Sequence, residues 1–131
     1  MKLIDLHVHT KGISLCSVIN GEEMAKLSLE KGIDGAVLCN HYDIVSLKEG
    51  ETIEEFANRY VNEYFEVKEA AKKYNFEIFF GIEVTMRKEN CIHMLVLGVD
   101  TSFPIKYPNL YDYTLEELSN IVHRHGGILV Q

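Results

Sequence analysis

Short apolar runs alternate with longer amphipathic segments along the chain. The runs have the length of buried strands, and in the longer segments apolar residues recur every three or four positions, the spacing of one helical face. This alternation predicts an α/β fold with a mainly parallel sheet. The predicted strands cover residues 3–8, 33–39, 76–84, 93–99 and 128–130.

Sequence signals mark where three helices begin. Asn20 is followed by two glutamates within three residues, and Thr52 and Thr114 each open a Thr-x-x-Glu capping box. Each signal predicts a helix directly after it. Residues 101–113 contain both prolines and are predicted to be irregular.

The connection between the third and fourth predicted strands is different from the others. Only nine residues separate Glu83 from His93, which is too few for a helical crossover. We therefore expect an antiparallel hairpin here, with its turn at residues 87–90.

Composition fits one domain with a buried core. Of the 131 residues 47% are hydrophobic, and no run reaches the roughly 18–20 apolar residues of a membrane span. The N-terminus has no evident signal peptide. Cys16, Cys39 and Cys91 lack paired spacing, which indicates reduced thiols and a cytoplasmic protein.

The acidic balance limits the class of partner. A formal net charge of −7 argues against a broad basic surface for duplex nucleic acid. It is compatible with a small phosphorylated substrate, because bound divalent cations would reverse the local sign of charge. No membrane partner is expected.

The first predicted strand carries the leading candidate for chemistry. His7 and His9 are two residues apart, so in a strand both imidazoles point to one face. Two neutral imidazoles on one face, where a strand ends, form a metal-binding pair. The alternative is a strand that happens to contain two histidines.

Further candidate ligands fall at matching positions. In parallel α/β folds, function gathers at the carboxyl ends of strands. His41 lies in a predicted loop two residues past the second strand, Glu83 is near the end of the third, and the hairpin would bring His93 beside it. Four segments thus deliver five predicted metal ligands to one rim. They are His7, His9, His41, Glu83 and His93.

A second His-x-His provides an internal contrast. His123 and His125 close a predicted helix and precede a strand, so they face the opposite rim. Helical spacing also points their rings in different directions. We interpret them as residues that favour the helix dipole at its C-terminus, not as metal ligands.

Taken together, these segments resemble the PHP (polymerase and histidinol phosphatase) superfamily over the whole chain. Asp5–Thr10 (DLHVHT) resembles the opening motif of that family, and Cys39-Asn40-His41 matches a second motif that is usually Thr-Asp-His. The later resemblances are Gly81-Ile82-Glu83 to the third motif, His93–Gly98 to the fourth, and Gly126–Gln131 to the lead-in of a fifth that would continue Ala-His-Pro.

The resemblance implies a fold, a set of metals and a reaction. The expected fold is α/β, an incomplete distorted (βα)7-type barrel with mainly parallel strands and one hairpin. The expected cofactors are two or three divalent metal ions (Zn, Mn or Fe). By position, His7 and His9 would hold one metal, Glu83 would bridge it to a neighbour, His41 would help to hold a second, and His93 would join Glu83 on a third.

These roles agree with the chemistry of the residue types. A carboxylate can bridge two cations, whereas a neutral imidazole binds one. Clustered cations would activate a water and stabilise the charge of a transferring phosphoryl group, so catalytic roles are predicted for Glu83 and His41. Arg87 and Lys88 beside the rim are candidates for substrate phosphate, and the alternative is that they are only solvated turn residues.

The sequence also departs from the family pattern. Asn40 replaces an acidic residue, which is predicted to weaken an outer-shell charge or hydrogen bond. Many relatives place a ligand in the loop after the first strand; this loop offers Ser14 and Cys16, of which Cys16 is the better donor unless it is simply buried.

The family's later ligands, the histidine of Ala-His-Pro and an Asp-x-His pair, have no place in this sequence. We therefore expect residues 1–131 to be a single PHP-like domain truncated before those motifs, the N-terminal portion of a larger protein. Open barrel edges would favour self-association.

The predicted function is that of a metal-dependent phosphoesterase hydrolysing a small phosphomonoester or nucleotide with a metal-activated water. Two alternatives stay open. One is an amidohydrolase-type metal hydrolase, which also opens with His-x-His. The other is a catalytically silent fragment that binds metal or has a structural role.

Overall fold

Six strands and four α-helices form the computed structural model, which describes residues 1–131. The elements are β1 (Ile4–Val8), α1 (Gly21–Glu30), β2 (Gly35–Leu38), β3 (His41–Tyr42), α2 (Ile53–Lys72), β4 (Glu77–Met86), β5 (Ile92–Leu97), α3 (Ser102–Lys106), α4 (Leu115–Arg124) and β6 (Ile128–Val130). All three predicted start signals cap helices: Asn20, Thr52 and Thr114 each form a capping box with the glutamate three residues later.

The sheet is mixed and curls into an open half-barrel. Its strand order is β1-β2-β4-β5-β6, with β3 also paired to β4. The pairs β1–β2, β2–β4 and β3–β4 are parallel, and β4–β5 is the predicted antiparallel hairpin. Because β6 lies beside the reversed strand β5, the pair β5–β6 is antiparallel too. The expected mainly parallel barrel is therefore only partly confirmed.

The prediction that His41 lies in a loop is wrong. Residues 41–42 form β3, which pairs with β4 in the register that β2 begins. The pairs Gly35–Glu77 and His41–Glu83 share an offset of 42 residues, since 77 − 35 and 83 − 41 are equal. The chain therefore keeps the same alignment with β4 through residues 39–40. This alignment places His41 directly beside Glu83.

The two faces of β4 have different surroundings. Ile78, Phe80, Ile82 and Val84 belong to a core cluster of 27 buried residues, which also contains the apolar stripe of α2. Each large side chain buried there contributes about 1.5–3 kcal/mol to stability. Alternation along the strand turns Glu83 to the opposite face, away from the helices.

The irregular segment predicted at 101–113 is instead partly helical. It contains α3 and a 3-10 turn at Leu110–Asp112, and it buries Phe103 and Leu110. Pro104 is tolerated because it falls in the first turn of α3, where its missing N–H would have no helical partner. None of the helices is both long and apolar enough to cross a membrane.

Candidate metal centre

Four strands bring the five predicted ligands together. His7 is in β1 and His9 follows it, His41 opens β3, Glu83 lies in β4 and His93 lies in β5. The hairpin register pairs His93 with Thr85, two residues from Glu83 on the same face of β4.

Glu83 is at the middle of the cluster. Its Oε2 atom lies 3.3 Å from His7 Nε2, 3.0 Å from His9 Nε2 and 3.0 Å from His41 Nδ1. Its Oε1 atom lies 3.4 Å from His93 Nδ1. The two Nε2 atoms of His7 and His9 are 2.8 Å apart. One carboxylate therefore contacts all four imidazoles.

The cluster contains buried polar atoms that protein groups do not satisfy. Glu83 is 6% exposed, yet neither its Oε2 atom nor the buried Nδ1 atom of His41 makes a hydrogen bond. The two atoms are 3.0 Å apart, but their contact lacks hydrogen-bond geometry. Leaving such atoms unpaired costs about 1–3 kcal/mol each. Imidazole nitrogens and a carboxylate are the donors that Zn²⁺ and similar cations prefer, so the residues present fit a divalent metal.

The electrostatics of the site favour the form of histidine that binds metals. Burial lowers the pKa of His9 below 6.5, and the nearby His41 lowers it further, against an opposing effect of Glu83. The His9 imidazole is therefore neutral at pH 7, with a lone pair free for a cation.

The donor atoms fall into three overlapping groups. Within each group all donor atoms lie within 4.8 Å of one another. The groups are His7, His9 and Glu83; His41, Glu83 and His93; and His9, Cys16 and His41. The third group contains the loop cysteine, whose Sγ atom lies 3.0 Å from His9 Nδ1.

The remaining sequence candidates make no hydrogen bond or ion pair with the five residues of this cluster. Arg87 donates to Asp112 at 3.3 Å, and Lys88 follows it in the exposed turn after β4. His123 contacts Ser119 within α4, and His125 contacts Tyr107. Neither of these last two histidines belongs to a candidate metal group.

Polar residues behind the ligands are the part that the sequence did not predict. Thr10 and Ser14 are fully buried and bond to Asn40, and Thr10 also bonds to Glu63. Thr10 and Ser14 follow the His7-Val8-His9 motif closely in sequence, and this proximity is only a weak signal of a role at the site. Glu63 gave none, because it is one of many charges on α2.

Comparison with known proteins agrees with this geometry. A family model described as PHP domain matches residues 5–126. No curated protein matches the chain. Among solved structures, it is similar to a two-domain protein from Bacteroides vulgatus that contains a predicted PHP-like metal-dependent phosphoesterase, with 16% identity and a TM-score of 0.62 over 96% of this chain and 33% of that one.

A second similar structure is a proposed metal-dependent phosphoesterase from Bifidobacterium adolescentis. It shares 20% identity with a TM-score of 0.51, over 77% of this chain and 29% of that one. The chain thus spans about a third of the length of these two proteins, and at such identities the likeness concerns the fold alone. The family match, which covers most of the chain and all five candidate ligands, shows that this protein belongs to the PHP domain family.

Proposed function

We propose that this protein is a metal-dependent phosphoesterase acting on a small phosphomonoester or nucleotide. The observation that carries the proposal is the unpaired Oε2 atom of Glu83, buried within 3.3 Å of three imidazole nitrogens. A buried carboxylate that is surrounded by imidazoles in this way is typical of a site that binds cations.

Each ligand has a proposed role. His7 and His9 would hold one metal, His41 a second and His93 a third, with Glu83 shared among them. The metals would be two or three ions of Zn, Mn or Fe. When bound, such ions supply Lewis acidity toward a phosphoryl oxygen and lower the pKa of a water nucleophile.

The substrate contacts are proposed from the turn after β4. Arg87 and Lys88 are the cations nearest in sequence to Glu83. Arg87 is exposed, and its contact to Asp112 is a single long one, so it can exchange that partner for phosphate at little cost.

Cys16 is proposed as a sixth donor, to the metal at His41. Its thiol lies beside His9 Nδ1, and a sulfur ligand would favour Zn²⁺, Co²⁺ or Fe²⁺ over Mg²⁺. We expect Co²⁺-loaded protein to show a thiolate-to-cobalt charge-transfer band that Cys16→Ser removes. Cys91→Ser, which changes an exposed thiol in the hairpin turn, should keep the band; an unchanged spectrum for Cys16→Ser would exclude the ligand role.

Elemental analysis of the purified chain tests the proposal, beside a variant that carries His7→Ala and His9→Ala. We expect Zn, Mn or Fe in stoichiometric amount, reduced by at least one equivalent in the variant, and phosphatase activity that follows the metal content. Wild-type protein that binds no metal even after reconstitution would contradict the proposal.

A metal-binding module without turnover is the second candidate. It requires only the cluster of donor atoms around Glu83. Stoichiometric metal without hydrolysis of any phosphomonoester or nucleotide would support this module over the phosphoesterase.

A further inference from the structure

We propose that Asn40, Thr10 and Glu63 form a directed hydrogen-bond relay that positions the metal ligands His9 and His41. The inference rests on the proposed metal centre and concerns residues behind it. Thr10 follows His9 and Asn40 precedes His41 in sequence, so the relay joins the neighbours of two ligands from separate strands.

The relay begins at backbone groups that can only donate. His41 N donates to Ser14 Oγ at 2.9 Å, so the Ser14 hydroxyl must use its own hydrogen on Asn40 Oδ1, at 2.8 Å. Thr10 N donates to the same Oδ1 atom at 2.8 Å. Two donors on one atom fix which end of the Asn40 amide is the oxygen.

The other end of the amide sets the rest of the relay. Asn40 Nδ2 donates to Thr10 Oγ1 at 3.1 Å, and Thr10 Oγ1 then donates its only hydrogen to Glu63 Oε1 at 2.6 Å. A carboxylate accepts and does not donate, so Glu63 is a proper terminus for the relay. Every hydrogen bond between His41 and Glu63 therefore has one possible direction.

Asn40 also holds the central ligand through its backbone. Its carbonyl oxygen accepts from Glu83 N at 3.1 Å and from the hydroxyl of Tyr60 at 2.6 Å. Asn40 is 1% exposed and Thr10 and Ser14 are both 0% exposed, so water cannot replace these bonds. Asn40 thus connects the three segments that carry His9, His41 and Glu83. An aspartate at position 40 would have the same shape but would lack the amide nitrogen that donates to Thr10 Oγ1.

A charge-conserving exchange of two residues separates positioning from charge. In Asn40→Asp, two carboxylates would compete for the single hydrogen of Thr10 Oγ1. In the double variant Asn40→Asp with Glu63→Gln, the new amide at position 63 can donate to Thr10 Oγ1, and that hydroxyl can then donate to the acid at position 40. The double variant has the wild-type net charge.

The test measures Co²⁺ affinity by titration of the folded proteins. Asn40→Asp installs the acid that the family motif usually has at this position, but in this chain Glu63 already accepts the single hydrogen of Thr10 Oγ1. The variant is therefore expected to weaken binding about 10- to 100-fold, the usual cost of losing an outer-shell partner. The added negative charge alone would strengthen cation binding, so a fall reports lost positioning. We expect the double variant to return to within about threefold of wild type, as coupled residues do.

Two single variants complete the set. Glu63→Gln keeps an acceptor oxygen for Thr10 and is expected to bind Co²⁺ within about threefold of wild type. Glu66→Gln, an exposed change one turn further along α2, should have no effect. Wild-type affinity in Asn40→Asp, or a double variant no better than Asn40→Asp, would overturn the relay.

Two further measurements cover proteins that do not fold or do not bind metal. In Asn40→Asp, repulsion between the carboxylates at positions 40 and 63 should loosen the segments that carry them, although the acceptors of Thr10 N and His41 N are kept. Amide hydrogen exchange in the metal-free proteins should therefore be faster at Thr10 N and His41 N in Asn40→Asp and should recover in the double variant. Equal rates would overturn the relay even if no Co²⁺ bound. If Asn40→Asp does not fold, Thr10→Ser keeps the relay hydroxyl and Thr10→Val removes it, and equal Co²⁺ affinity of those two would be decisive against it.

Discussion

At the scale of single residues, the candidate metal centre buries a glutamate in an energetically unfavourable environment. Glu83 keeps a carboxylate at 6% exposure with one oxygen unpaired, although a buried charge is stable only when it is paired. A cation would supply the missing partner. Metal binding and stability of the metal-free protein should therefore respond in opposite directions to changes at this position.

Replacing Glu83 by glutamine tests this opposition. We expect Glu83→Gln to lose metal equivalents, because an amide bridges cations poorly. The metal-free variant at pH 8 should unfold at the same or a higher temperature, because the buried charge, worth about 1–3 kcal/mol, is gone. Elemental analysis and thermal denaturation check both effects, with Glu66→Gln as the control. A metal-free variant less stable than wild type would contradict the account.

The two cysteines nearest the ligands differ in chemistry. Burial raises the pKa of the Cys39 thiol to about 12, with a further contribution from Glu83. Cys39 Sγ donates to Leu6 O, so this thiol packs between strands. Cys16 is exposed and lies beside His9, and of these two cysteines we propose the ligand role for Cys16 alone.

At the scale of elements, an ion pair joins the segment after β3 to α2. Arg59 donates to both oxygens of Glu51, at 2.7 and 2.8 Å, and to Ser46 O at 2.7 Å. The Arg59 hydrogen bonds lower the pKa of Glu51 from 4.5 to about 2. The contact holds the segment that follows His41 against the helix.

This ion pair predicts a pH dependence of stability. A folded-state pKa below the unfolded value means that the contribution is present above pH 4.5 and is lost as the pH falls toward 2. Glu51→Gln should lower the free energy of unfolding by about 1–2 kcal/mol at pH 7. The difference from wild type should shrink to near zero at pH 2. Urea denaturation across this range measures it, with the exposed Glu49→Gln as control. A difference that is independent of pH would rule out the ion pair as its source.

Local signals predicted some elements well and others poorly. The capping boxes at Thr52 and Thr114 marked two helix starts to the residue, because capping depends only on groups three positions apart. The strand at residues 41–42 was missed, because its only hydrogen-bonded partner is β4, far away in sequence. The helix α3 was missed because prolines usually mark irregular segments, whereas Pro104 occupies the one turn that accepts it.

At the scale of the whole molecule, the half-barrel has two open edges. β1 and β6 each pair with one neighbour, and apolar side chains on them are exposed: Leu6 by 58%, Ile128 by 55% and Val130 by 40%. Unpaired strand edges with apolar side chains are templates for pairing with another chain.

We therefore expect this chain to self-associate. Light scattering after size exclusion should give a mass above 15.0 kDa that rises with concentration. Leu6→Lys with Val130→Lys should shift the protein toward monomer, because edge lysines oppose strand pairing. Leu27→Lys, on the outside of α1 and 49% exposed, is the matched control. A monomer at high concentration in the unchanged chain would contradict the expectation.

The sequence by itself determined the types of candidate ligand and, except at His41, the strands that carry them. His7 and His9 share a face because side chains alternate along a strand, and the nine residues before His93 force a hairpin. These are properties of neighbouring residues, so they are readable without a fold. The same neighbourhood includes Cys16, seven residues from His9.

Only the tertiary structure decided how those candidate ligands are held. The register of β3 on β4 sets His41 beside Glu83, and the relay from His41 to Glu63 spans residues 10–63. Such contacts join residues that are distant in sequence, and each depends on the whole sheet and on α2 being in place. The residue types determined which donor atoms are available, namely imidazole nitrogens and a carboxylate. The positions of these atoms relative to one another were determined by tertiary packing.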